Sequence, residues 1–292
     1  MAEVRSLTVP SKINLILKIT GKRPDHYHQL QTLFLPLAVP ADRVELHWSG
    51  PGIRVCSSRP GLPEDLDNLG GRAAQLYAAA AGVAPEWMFR IEKNIPVAAG
   101  LGGGSADAAA VLRLLNEHYR ILPAAALTAL ALQLGADVPF FLTPRPAWAG
   151  GIGEELTWLP AELPAVPLLL INPCFPVSSA WAYRHFEPER IGKLPGFHAD
   201  LLLEAWRAAD WEAFGKLLHN DLGLALYEKF PLLEMLRRRL FQLGACGVQI
   251  SGSGPTMFAV CRDAGSREVL VEALQQEFSD LRCFTAEPYR HF

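Results

Sequence analysis

The segment Pro96-Val-Ala-Ala-Gly-Leu-Gly-Gly-Gly-Ser105 constrains this chain more than any other. Four glycines in five positions strip the side chains from a length of backbone. Ser105 then opens Ala106-Asp-Ala-Ala-Ala-Val-Leu-Arg-Leu-Leu-Asn116, a run with strong helix propensity. Bare amides leading into a helix N-terminus form a site for anions, phosphate above all. The segment predicts a nucleotide-binding protein. Asp107 falls in the first turn, where it would repel a phosphate, so it is expected to point away.

Two familiar phosphate loops do not fit. A Walker loop ends in Gly-Lys-Ser or Gly-Lys-Thr, and no lysine occurs between Lys93 and Lys193. The dinucleotide fingerprint needs a strand running directly into its glycines, and Pro96 interrupts that approach. A β-branched residue at Gly103 is expected to block phosphate approach and to disfavour a positive φ.

The rest of the chain predicts an α+β protein. Val9 to Thr20 alternates, with Lys12, Asn14, Ile16 and Lys18 on one face of a strand. Further strands are expected over 29–37, 43–48, 52–57 and 87–93, and helices over 68–81, 105–119 and 123–134. The Pro- and Gly-rich stretch 144–167 is expected to hold a boundary between domains 1–158 and 159–292. Beyond it, strands are predicted at 166–172 and 257–261, with a last one at 283–287. Helices are predicted at 178–185, 199–208, 210–219, 231–243 and 267–278. Gly247 to Thr256 reads as a second glycine-rich turn. Strands and helices mix without regular βα alternation, which favours α+β layers over a doubly wound sheet.

Composition narrows the partners. The chain has 292 residues, half of them hydrophobic, and a net charge of −3. It shows no basic excess for nucleic acid or anionic lipid. Five cysteines without a Cys-x-x-Cys pair, and an N-terminus without an apolar signal core, predict a cytoplasmic protein. No metal set is visible by spacing. The expected partner is a small molecule, with no nucleic acid and no membrane. The expected assembly is a monomer or weak homodimer.

Three segments occur in order: Pro10-Ser-Lys-Ile-Asn-Leu15, the loop 96–105, and Ile250-Ser-Gly-Ser-Gly-Pro-Thr256. Their order and spacing resemble the GHMP small-molecule kinases. That resemblance implies a two-domain α+β architecture with the active site in the cleft between domains. Lys12-Ile-Asn-Leu, Gly21-x-Arg23-Pro-Asp-x-Tyr27-His28, Asp67-Asn-Leu69, Gly135-Ala-Asp137 and Ser178 to Tyr183 narrow it. They are similar to the branch that moves the γ-phosphate of ATP to the 2-hydroxyl of a cytidine-diphosphate sugar alcohol. That reaction belongs to the non-mevalonate route to isoprenoid precursors. Homoserine- and mevalonate-type kinases, and a silent nucleotide-binding protein on the same fold, are the alternatives.

The resemblance implies roles residue by residue. Pro96, Gly100, Gly102, Gly103, Gly104 and Ser105 cradle the ATP phosphates, and Asn68 and Lys93 lie near the adenosine. Asp137 takes the proton from the acceptor hydroxyl. Lys12 pairs with it and stabilises developing negative charge. Asn14 donates to the acceptor. Tyr27 and Tyr183 sandwich the cytosine and His28 reads its edge. Mg²⁺ is held chiefly by phosphate oxygens and water, with Ser105 as a contact. His26 stands where the family usually has glycine, which implies a positive φ there. Gly70-Gly71 and Pro144-Arg-Pro146 also depart from the usual pattern.

Overall fold

A computed structural model of the chain describes residues 4–160, 162–191 and 198–289. In chain order its strands are β1 (Val4–Lys22), β2 (His28–Trp48), β3 (Gly52–Ser57), β4 (Glu86–Glu92), β5 (Ala147–Gly150) and β6 (Glu155–Trp158). They continue with β7 (Leu168–Asn172), β8 (His219–Asn220), β9 (Gly247–Ile250), β10 (Met257–Val260) and β11 (Arg282–Ala286). Its helices are α1 (Leu69–Ala81), α2 (Gly103–Tyr119), α3 (Ala124–Leu134), α4 (Val138–Leu142), α5 (Ser179–Arg184) and α6 (Pro188–Ile191). After these come α7 (Ala199–Arg207), α8 (Trp211–Lys216), α9 (Gly223–Lys229), α10 (Pro231–Gln242) and α11 (Ala264–Glu277).

The first sheet runs β3-β4-β2-β1-β8, with β5 paired to β2 and β6 to β5. Helices α1 to α4 cover one face. Their Tyr77, Ala109, Leu112 and Phe140 pack with Val44, Leu46 and Phe89 of the sheet. The second sheet is antiparallel, in the order β11-β7-β10-β9. Alternate residues of β7 and β10 serve two cores. Leu168, Leu170, Phe258 and Val260 meet Ile13, Leu15, Leu33 and Ile95 of the first half. Leu169, Ile171, Met257 and Ala259 face α9, α10 and α11 instead. Period-two alternation thus gives one strand to two cores, each buried side chain contributing about 1.5–3 kcal/mol.

β2 departs from the sequence reading. Strands were expected over 29–37 and 43–48, but one strand runs through Pro36 and Pro40. Ser11 pairs with Leu37 while the adjacent Pro10 pairs with Ala41, so residues 38–40 bulge out of the ladder. A bulge tolerates a proline, which has no N–H to donate. The 144–167 stretch holds β5 and β6, short strands that its prolines and glycines hid. The second half returns β8 to the first sheet, parallel to β1 at Ile16 and Leu17. The two halves are therefore stitched together at the strand that carries Lys12. Helices α4, α6 and α9 were not predicted.

Candidate active site

The glycine loop folds tightly because its glycines do different work. Gly100 and Gly102 have φ of +76° and +73°. A Cβ on Gly100 would lie 2.1 Å from the Ser251 carbonyl oxygen, so only glycine lets the loop touch the second glycine turn. Gly102 caps α2, which begins at Gly103, two residues earlier than predicted. The first intrahelical bond is Ala106 N–H to the Gly102 carbonyl. The amides of Gly103, Gly104 and Ser105 thus precede the helical ladder and stay free for a ligand. Gly104 has nothing within 4 Å of a Cβ position.

The expectation for Gly103 needs correction. Gly103 is helical and carries no positive φ. A Cβ there would meet Ile95 Cγ2 at 2.9 Å. A bulkier residue would therefore displace the core beneath the loop and not the ligand above it. Gly104 is the open position.

Asp107 lines the same cavity as the loop. Its carboxylate accepts from Lys93 Nζ at 2.6 Å, and Lys93 also bonds Asp42. Asp42 is fully buried and its other oxygen accepts from the backbone N–H of Asn94 and of Ile95, at 2.6 and 2.8 Å. Burial pushes the Asp107 carboxyl up to about 7, against the pull of Lys93. Lys93 lines the cavity, but its ammonium is engaged by two carboxylates. Asn68 also lines it while capping α1, accepting from Gly70 N and donating to the Pro63 carbonyl. Gly71 in that helix is required by packing: a Cβ would lie 1.9 Å from the Asp65 carbonyl oxygen.

Both faces of β1 are covered, so its polar face is interior. Lys12 is 5% exposed. Its Nζ lies 3.3 Å from Asp137 Oδ2, donates to Asn14 Oδ1 at 2.8 Å, and sits 4.8 Å from the centroid of the Phe34 ring. Asn14 in turn donates to Thr32 Oγ1 at 2.7 Å, and Thr32 donates to the Ile16 carbonyl at 2.6 Å. One amide hydrogen of Asn14 remains for a ligand. Asp137 lies in the short connection between α3 and α4, its side chain about one-third exposed toward the cavity.

Ser251 joins the three segments. It accepts from Asn14 N at 3.4 Å and donates to the Gly100 carbonyl at 2.9 Å. Lys12 N donates to the Leu101 carbonyl at 3.0 Å. Asp42, Thr32, Phe34 and Ser251 were given no role from sequence. Thr32 and Phe34 share a strand face in Gln31-Thr-Leu-Phe34, the one signal that pointed to them. The partnership of Asp42 with Lys93 had none, since 51 residues separate them.

The turn after β1 is closed by Arg23 N–H to the Tyr27 carbonyl at 2.7 Å. His26 has φ of +70°, the positive value the turn requires. His28 stacks on Tyr183, with ring centroids 5.5 Å apart and planes at 21°, and meets Phe186 edge-on. Tyr27 lines the same cavity and is 60% exposed. Burial, then the neighbouring Lys22 charge, holds His28 below its ordinary pKa. Burial, then the Asp137 carboxylate, pushes the Tyr183 phenol upward. Tyr183 is therefore within electrostatic reach of Asp137.

A cavity of about 1010 Å³ is lined by most of these groups, though not by Asp42, Ser251 or Phe186. The glycine loop, Lys12, Asp137, His28 and Tyr183 line one continuous space between the two halves of the chain.

Residues 68–144 match the GHMP kinases N terminal domain and residues 202–280 the GHMP kinases C terminal domain. The 4-diphosphocytidyl-2-C-methyl-D-erythritol kinase of Syntrophotalea carbinolica is 40% identical over 287 residues, covering 98% of this chain and 99% of that one. A crystal structure of 4-(cytidine 5'-diphospho)-2C-methyl-D-erythritol kinase superposes with a TM-score of 0.82 at 35% identity, over 98% of this chain and 100% of that one. Homoserine kinase from Cytophaga hutchinsonii shares the fold, with a TM-score of 0.76 at 19% identity over 99% and 96%. Homology along nearly the whole chain and a phosphate loop facing a lysine–aspartate pair agree: the chain belongs to the 4-diphosphocytidyl-2-C-methyl-D-erythritol kinases of the GHMP kinase family.

Proposed function

We propose that this chain transfers the γ-phosphate of ATP to the 2-hydroxyl of 4-diphosphocytidyl-2-C-methyl-D-erythritol. One observation carries the reading: a single cavity holds free helix N-terminal amides, the Lys12–Asp137 pair and the stacked His28–Tyr183 rings. Each supplies one part that phosphoryl transfer to a cytidyl acceptor requires.

The β- and γ-phosphates seat on the amides of Gly103, Gly104 and Ser105, where the α2 dipole favours negative charge. The acceptor hydroxyl approaches Asp137, whose carboxylate accepts its proton. The hydroxyl oxygen bonds to the γ-phosphorus while the bond to the bridging oxygen of ADP breaks. Lys12, fixed by Asn14 Oδ1 and the Phe34 ring, stabilises charge on the transferring group. The Thr32–Asn14–Lys12 chain limits the motion of that ammonium, so little reorganisation is needed during transfer. The cytosine seats at the aromatic turn formed by Tyr27, His28 and Tyr183.

The residues present fit Mg²⁺ bound mainly through nucleotide. Among the described residues no cluster of three His, Cys, Asp or Glu side chains can hold a metal. Ser105 lines the cavity in the first turn of α2 and offers one hard oxygen, which suits an ion that keeps phosphate and water ligands. When bound, the ion neutralises charge on the phosphate oxygens.

Thermal denaturation with separate ligands tests the acceptor. Cytidine diphosphate and ADP should each raise Tm, and homoserine and mevalonate should not. Stabilisation by ADP and mevalonate, with none by cytidine diphosphate, would contradict the proposal.

A further inference from the structure

The cavity's charges are mostly committed to one another. Lys12 faces Asp137, Lys93 faces Asp107, and Asp25 is held by Arg23 with Nε and Nη2 contacts of 3.1 and 2.8 Å. Two cations that line the cavity, Lys22 and Arg184, pair with no carboxylate among the described residues. Both are exposed, so neither serves packing.

Their positions are not scattered. Lys22 pairs with His28 across the β1–β2 ladder, and its charge is felt by the His28 ring. Arg184 follows Tyr183 at the end of α5. His28 and Tyr183 are the rings that stack. The two free cations therefore flank one aromatic pair, one contributed by each half of the chain.

A nucleotide-linked acceptor brings a diphosphate beside its base. The amides of the glycine loop are taken by ATP, and Lys12 is committed to the transferring group. The acceptor's own diphosphate needs other cations, close to the ring pair that takes the base. We propose that Lys22 and Arg184 bind the diphosphate of the acceptor and so select a nucleoside diphosphate over the bare nucleoside. This inference rests on the cytidyl acceptor reading above. Arg184 offers a planar fork suited to phosphate oxygens, and Lys22 a compact point charge.

The test is calorimetric titration of cytidine and of cytidine diphosphate, separately, into the wild-type chain, Lys22→Gln, Arg184→Gln and the double variant. Arg90→Gln serves as a charge control, because Arg90 is exposed on β4 and does not line this cavity. Wild type should bind the diphosphate more tightly than the nucleoside. Each single variant should weaken diphosphate binding by about three- to tenfold, the range of one partly solvated cation–phosphate contact. Cytidine and ADP affinities should stay unchanged in every variant, and Arg90→Gln should match wild type for all ligands. An unchanged diphosphate-to-nucleoside ratio in the double variant would overturn this inference and leave the acceptor reading standing. Failure of the wild-type chain to bind either cytidine ligand, while binding ADP, would overturn both.

Discussion

Gly104→Ala separates a ligand-binding glycine from a structural one, because its two consequences have opposite signs. Gly104 is exposed in the first turn of α2, has helical φ, and leaves a Cβ with no atom within 4 Å. Alanine at such a site reduces unfolded-state freedom and stabilises by about 0.4–1 kcal/mol. For a chain of this size that raises Tm by roughly 1–4 °C. The same methyl enters the space a phosphate needs to reach the amides. Losing one charged hydrogen bond costs about 1.5–3 kcal/mol, a weakening of ATP binding of roughly 10- to 150-fold. Gly100→Ala behaves differently, since its methyl meets the Ser251 carbonyl oxygen at 2.1 Å in a backbone at φ +76°. That variant should lose stability along with both ligands. Differential scanning fluorimetry and ATP titration of the two proteins read these effects. Unchanged ATP affinity in Gly104→Ala would refute the phosphate cradle, and a fall in its Tm would refute the open-backbone argument.

Other substitutions test the remaining parts of the site. Asp137→Asn should lower kcat by about 10²–10⁴-fold, the usual contribution of a general base, with ATP affinity retained; steady-state kinetics and ATP titration check it, and a wild-type kcat would exclude Asp137 as the base. Tyr183→Ala removes a stacking face worth roughly 1–3 kcal/mol and should raise KM for the cytidyl acceptor about 5- to 150-fold, with KM for ATP little changed. His26→Gly should stabilise the chain by about 0.5–1 kcal/mol in denaturant unfolding, because His26 sits at φ +70°; a loss of stability would mean that the histidine side chain supports the turn.

The parts of the fold and site set by local pattern were legible in the sequence. The alternation of Val9 to Thr20 predicted β1, and four clustered glycines predicted the loop before α2. The parts set by distant contacts were not. Lys12 reads as one polar residue of an alternating strand, yet it is buried, with its ammonium set against Asn14, Asp137 and the Phe34 ring. Nothing near Lys93 announces Asp42. Separate strands were expected over 29–37 and 43–48, and only the pairing of β1 on both sides of the bulge shows one. Gly103 and Gly104 look equivalent in sequence, but Ile95 lies behind the first and open space before the second. The placements of Tyr27, His28 and Tyr183 in one cavity depended on α5 crossing to the first half, which no local signal encodes.

The central claim is that one cavity joins an ATP phosphate cradle to a cytidyl acceptor site at Asp137. Coupled ADP release measures it directly, with 4-diphosphocytidyl-2-C-methyl-D-erythritol, homoserine, mevalonate and galactose offered as acceptors under identical conditions. The account predicts rapid ADP release with the cytidyl acceptor alone, abolished by Asp137→Asn. Faster release with homoserine, mevalonate or galactose would contradict it.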